Sequence, residues 1–129
     1  MEIYITSVFV DNQDKAIDFY VHKLGFVLKH NVPLGEHRWV TVTGKANPNG
    51  PELLLEPSSH EAVPAYKKAL YNDGIPAASF EVYDLDGEYN RLCEAGVTFT
   101  VGPVDAGQVK MAILDDSCGN LIQLVEQIK

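Results

Sequence analysis

Two short stretches put polar side chains where a strand core normally takes aliphatic ones. In "PELLLE" a carboxylate, Glu56, closes an apolar run; in "LIQLV" an amide, Gln123, sits among Leu121, Ile122, Leu124 and Val125. Successive strand residues point to opposite faces, so Gln123 shares a face with Leu121 and Val125, and Glu56 shares one with Leu54. A carboxylate on an apolar wall is costly to ionise, which moves such a group toward the working range of a general base. Glu56 is therefore a candidate base; the plainer alternative is a wet strand end before Pro57. An amide both donates and accepts, so Gln123 can orient a ligand or simply hydrogen-bond Glu56.

The other chemically capable residues are more scattered. His22 falls on the first helix, His30 and His37 at the ends of two strands, and His60 in a connector after "EPSS". No two have an i, i+4 spacing on one helix, so surface or rim positions are expected rather than a metal cluster. In "HRW", Trp39 is a candidate wall residue with core packing as its default role, and Arg38 could meet an anionic ligand. Cys118 lies in a tight turn, where Asp115 and Asp116 disfavour a thiolate, and Cys93, at helical spacing from Tyr89, is expected in the core. The two cysteines form no CxxC or zinc spacing, and no GxGxxG, P-loop or GxSxG pattern occurs.

The bulk numbers narrow the setting. The chain has 129 residues, enough for one domain with a real core, and 46% are hydrophobic. Eighteen acids against ten Lys and Arg give a formal charge of −8. That balance disfavours nucleic acid, whose binding needs basic patches, and equally an anionic membrane surface. The start "MEIYITSVFV" reads as no secretory signal, and no run approaches a membrane span. A cytoplasmic protein with two free thiols is the expectation.

The elements that must position these residues follow from periodicity and punctuation. Residues 2–10 read as a strand. "DNQDKAIDFYVHKLG" reads as a helix with Asn12 as N-cap, Asp14 in the first turn, Ala16, Ile17, Tyr20 and Leu24 at helical spacing, and Gly25 at C′. "FVLKHNV", "RWVTVTG" and "PELLLE" read as three strands. "AYKKALYNDGIP" is a connecting helix stopped by Gly74 and Pro76. A strand "AASFEVYD", a helix capped by Asp84 and ended by Gly96, and strands "VTFTV", "QVKMAILD" and "NLIQLVE" complete the chain. Both halves therefore read βαβββ. Ser7 and Ser79, like Val10 and Val82, stand 72 residues apart, and aligning "ELLLE" with "LIQLV" sets Glu56 against Gln123 at an offset of 67.

A tandem βαβββ of this length, with "VFVDNQDKAIDFYVHKLGF" at its start and a "DDSCGNLIQLVE" hairpin at its end, resembles the vicinal oxygen chelate superfamily. That family includes glyoxalase I, bleomycin-resistance proteins and extradiol dioxygenases. The resemblance implies an α+β fold of two tandem βαβββ modules forming a cupped, half-open mixed sheet. It implies one domain over 1–129, with modules at about 1–57 and 76–129 and a helical connector at 58–75. Metal-using members carry a ligand on the first and last strand of each module, which maps here to Ile5, Glu56, Ala77 and Gln123. Ile5 and Ala77 offer no donor, so the metal site is expected to be lost and no cofactor is expected, a divalent metal being the alternative. Strand parity then lines the cup with Ile5, Ser7, Phe9, Leu54, Glu56, Ala77, Ser79, Glu81, Leu121, Gln123 and Val125, and with Trp39 as a wall. The resemblance implies a small-molecule ligand and a homodimer. It leaves open a metal-independent binder or enzyme, a metal-dependent lyase, isomerase or dioxygenase using Glu56, and a drug-sequestering resistance protein.

Overall fold

The computed structural model describes residues 1–128 and divides the chain into two compact units whose boundary falls between Ala65 and Tyr66. The first unit holds β1 (Ile5–Val10), α1 (Gln13–Ile17) running on as a π-helix over Asp18–Lys23, β2 (Val27–Leu34), β3 (His37–Thr43) and β4 (Glu52–Pro57). Helix α2 (Val63–Asn72) straddles the boundary. The second unit continues with β5 (Ala78–Glu81), α3 (Leu85–Glu94), β6 (Phe99–Asp105), β7 (Val109–Asp115) and β8 (Leu121–Gln127). The fold is α+β with two open, four-stranded mixed sheets.

The strand order is β1-β4-β3-β2 in one sheet and β5-β8-β7-β6 in the other. In each, the first and last strands of the module pair in parallel and the remaining pairs are antiparallel. The register refines the internal repeat. Ser7 pairs with Leu54 and Phe9 with Glu56, whereas Ser79 pairs with Gln123 and Glu81 with Val125. With Ser7 and Ser79 as equivalents, Gln123 answers to Leu54 (123 − 54 = 69) and Val125 to Glu56 (125 − 56 = 69). The offset of 67 expected from the turn text is thus two residues short. Eight residues separate β3 from β4 and five separate β7 from β8, a difference of three, which takes 72 to 69.

Each helix covers one face of its own sheet. In the first unit Val8, Val10, Val40, Val42, Leu53 and Leu55 are buried with Ala16, Phe19 and Tyr20. In the second, Ala112, Leu114, Ile122 and Leu124 are buried with Leu85 and Leu92. Period-2 alternation therefore sends the other residues of each strand to the face turned away from the helix.

The punctuation works as the residue types dictate. Asn12, in extended conformation, accepts from Lys15 N at 2.9 Å, and Asp84 accepts from Gly87 N at 3.1 Å. Gly25 and Gly96 follow their helices at φ +91° and +87°, a region open to glycine. Three expectations shift. The first helix turns π, with Leu24 N bonding Phe19 O at 2.9 Å. The widened turn lets the neighbours Phe19 and Tyr20 both reach the core, their rings edge-on at 5.5 Å, while Ile17 and Leu24 stay half-buried. Strands β2 and β6 extend past Pro33 and Pro103, because both are edge strands where a missing N–H is harmless. Cys93 is exposed rather than core, while its helix buries Leu85 and Leu92.

Candidate functional site

The face of the first sheet turned away from its helix carries most of the chemistry. Ile5, Ser7 and Phe9 of β1 lie opposite Glu52, Leu54 and Glu56 of β4, and paired residues share a face. Thr41 lies opposite Leu54, which brings Trp39 and Thr43 to the same face by alternation. His30 lies opposite Thr41 across the β2–β3 ladder. So Ile5, Ser7, Phe9, Trp39 and Glu56 fall on one surface; Ile5, Phe9, Trp39 and Glu56 are half-buried and Ser7 is exposed.

In the second sheet the equivalent face carries Ser79, Glu81, Gln123 and Val125. Ser79 Oγ donates to Gln123 Oε1 at 3.0 Å, so a neighbour within the module satisfies the amide's carbonyl. This is the physical reason a polar residue survives in "LIQLV": a paired acceptor costs little on a sheet face. Ala77 precedes β5 and bonds Leu121 O through its backbone N at 2.8 Å.

One residue on the first face escaped the sequence reading. Glu52 is 3% exposed, and its Oε1 has no hydrogen-bond partner among the described residues. Lys29 Nζ lies 3.7 Å from its Oε2 and His30 Nε2 3.7 Å from its Oε1, both beyond hydrogen-bond reach. Thr41, fully buried, likewise leaves Oγ1 without a partner among the described residues. The signal was present, since parity running back from Glu56 through Leu54 reaches Glu52. His30 is also displaced from its expected strand end to the middle of β2, beside a register shift between Leu28 and His30.

Other candidates are committed elsewhere. Arg38 pairs with Asp14 and contacts Asn31 Oδ1 at 3.3 Å, while its backbone is clasped by Gln13 at 2.7 and 3.1 Å. That ion pair engages the guanidinium expected to meet an anionic ligand. His60 Nδ1 accepts from Ala62 N at 3.0 Å and caps a turn. Cys118 is buried in the turn between β7 and β8, which Asp116 organises. Asp116 Oδ1 accepts from Cys118 N at 2.7 Å and Asn120 N at 2.9 Å, and Oδ2 accepts from Asn120 Nδ2 at 2.8 Å. Lys67, 9% exposed, donates to Cys118 O at 2.6 Å. Tyr71 donates to Asp115 Oδ2 at 2.6 Å, which raises its pKa first through that hydrogen bond, then through burial and the charges of Asp115 and Asp116.

A metal centre of this fold would need three or four N, O or S donors. Among the described residues no three His, Cys, Asp or Glu side chains are grouped to hold one. Glu52 with His30 is a pair, and Ile5 and Ala77 have no side-chain donor. No helix among the described residues is long and apolar enough to cross a membrane.

Comparison with known proteins agrees with this architecture. The chain is 50% identical over 127 residues to the uncharacterized protein YurT of Bacillus subtilis (strain 168), covering 98% of this chain and 100% of that one. The crystal structure of UcmS2 superposes with a TM-score of 0.86 at 29% identity, covering 98% of each chain. That of TnmS3, an antibiotic binding protein from Streptomyces sp. CB03234, gives 0.77 at 28% identity, covering 98% of this chain and 96% of that one. The sequence model of the Glyoxalase/Bleomycin resistance protein/Dioxygenase superfamily matches residues 3–124, and the chain belongs to that superfamily.

Proposed function

We propose that this protein is a small-molecule binder that works without the family's metal centre, the whole chain serving as one ligand-binding domain. The observation that carries this reading is the composition of the first module's open face. Ile5, Phe9 and Trp39 supply half-buried apolar and aromatic surface and Glu56 a half-buried carboxylate, while Leu54, Glu52 and Thr41 lie buried on the same face. Small-molecule sites have that balance. Ile5 stands where the family resemblance places a metal ligand, so this surface offers contact area in place of a donor. The likeness to TnmS3, an antibiotic binding protein, favours antibiotics or comparable apolar compounds as ligands. Ser79, Glu81 and Gln123 are proposed as ligand-binding residues of the second module, and Glu56 as a hydrogen-bond acceptor on the first. A homodimer in the cytoplasm is proposed, with no nucleic acid or membrane partner, consistent with the charge of −8.

The test is a melting-temperature screen against a panel of antibiotics and aromatic compounds, with and without EDTA, on protein purified without a histidine tag. A true ligand at one hundred times its Kd should stabilise by about 2.7 kcal/mol, and EDTA should leave that unchanged. About one equivalent of zinc, nickel, iron or manganese by elemental analysis, with ligand stabilisation abolished by EDTA, would instead establish the metal-dependent lyase, isomerase or dioxygenase reading through Glu56. Turnover of a bound ligand would separate an enzyme from a sequestering protein, and light scattering at micromolar concentration tests the dimer.

A further inference from the structure

We infer that Glu52 and Thr41 form a polar subsite that takes a neutral hydroxyl group of the ligand, an assignment that rests on the small-molecule-binding reading above. Both side chains project from the first sheet's open face, from neighbouring strands, and both are more than nine-tenths buried. Each leaves an oxygen unpartnered among the described residues, Oε1 of Glu52 and Oγ1 of Thr41. A buried acceptor left unpaired is costly, and few native groups are left so without a water or ligand to satisfy them.

The scaffold does not require these polar groups. The register equates Glu52 with Leu121 (121 − 52 = 69), Thr41 with Ile113, and His30 with Val101, since His30 pairs with Thr41 as Val101 pairs with Ile113. The second module thus builds the same three positions from a leucine, an isoleucine and a valine. Carboxylate, hydroxyl and imidazole are additions specific to the first module.

Their chemistry selects the ligand group. A carboxylate only accepts, whereas a threonine hydroxyl both accepts and donates. A ligand hydroxyl can donate to Glu52 Oε1 and accept from the Thr41 hydroxyl, leaving no group unpaired. Lys29, 3.7 Å from Oε2, already supplies the carboxylate's counter-charge, so a ligand ammonium would meet a like charge there. A neutral hydroxyl meets none. The ligand's body is apolar, because Ile5, Phe9, Trp39 and Leu54 share the face.

The test uses 2-naphthol and its methyl ether, 2-methoxynaphthalene, which differ in the hydroxyl proton, titrated by calorimetry into wild type, Glu52→Gln and Thr41→Val. Wild type should prefer 2-naphthol at least about tenfold, since a site built to bond a hydroxyl rejects the analogue that lacks it. Glu52→Gln should cut the preference to within about threefold. Thr41→Val should weaken 2-naphthol binding while the ligand-free protein melts no lower than wild type, a pairing that a merely structural threonine would not show. If Glu52→Gln does not fold, Thr41→Val decides alone. Equal wild-type affinity for the two probes, no measurable binding of 2-naphthol, or a preference unchanged in the variants overturns the subsite. The broader binding reading is judged separately, by the ligand panel.

Discussion

The two modules share strand order, pairing sense and register, yet they differ in how their polar groups are satisfied. The second module spends its polarity internally: Ser79 holds Gln123, Asp116 binds the turn before β8, and Tyr71 and Lys67 fasten α2 to that turn. The first module leaves Glu52 and Thr41 buried. In this repeated scaffold Gln123 of the second module is held by its own neighbour, whereas Glu52 and Thr41 of the first each keep an oxygen without a partner among the described residues. On the proposed small-molecule-binding reading, the second module marks what the fold needs and the polar excess of the first marks what a ligand would use.

Exchanging residues between the modules tests that contrast most severely. Leu121→Glu places a carboxylate at the second module's version of position 52, where Val101 and Ile113 stand in place of His30 and Thr41. Leu121 is 4% exposed, so the change should cost about 3–5 kcal/mol in urea unfolding. A cost below about 1 kcal/mol would mean the two positions are not equivalent. Asp116→Ala comes next. It strips the acceptor from the backbone N–H groups of Cys118 and Asn120 and from the Asn120 amide, and should cost about 3 kcal/mol by the same measurement. Wild-type stability in that variant would remove the claim that the second module's polarity is structural.

The reverse exchange, Glu52→Leu, should stabilise the ligand-free protein by about 1–2 kcal/mol, because replacing a buried carboxyl group by an apolar side chain of similar size is often favourable. A large destabilisation would show that Lys29 and His30 depend on Glu52 and that the carboxylate is structural after all. Glu56→Gln should change stability by less than about 0.5 kcal/mol while altering ligand affinity, and a melting loss with intact binding would reverse its role. The smallest effect is Tyr71→Phe. The Tyr71 pKa is raised in the fold, so its contribution is present below the unfolded value near 10.0 and is lost as pH rises through the folded one. The variant should flatten the decline of stability above pH 10, and an unchanged decline would show that Tyr71 does not cause it.

The sequence made the architecture legible where residue type dictates backbone state. Asn12, Asp84, Gly25 and Gly96 mark helix ends because capping oxygens and positive φ are local requirements. The π-turn was not legible, since two adjacent aromatic rings packed on one core decide it. The repeat is visible in the sequence, but its second offset is 69 rather than 67, because turn length counts only between strand ends. Of the site, Glu56 and Gln123 stood out as polar residues in apolar runs. Glu52 did not, because after Pro51 it reads as a strand's wet beginning; parity from Glu56 puts it on the same face, and the structure adds that it is buried. His30 reads as a strand-end residue in "FVLKHNV", whereas the strand runs on past Pro33 to Leu34, as an edge strand allows.

Trp39 is the chain's single tryptophan, and it shares the first module's open face with Thr41, two residues away. Half-buried there, its indole is positioned to sense a change of polarity or a nearby quencher on that face. The second module contains tyrosine and phenylalanine but no indole. Red-edge excitation would therefore illuminate one module alone, so the protein carries a native optical label that distinguishes its two otherwise matching halves.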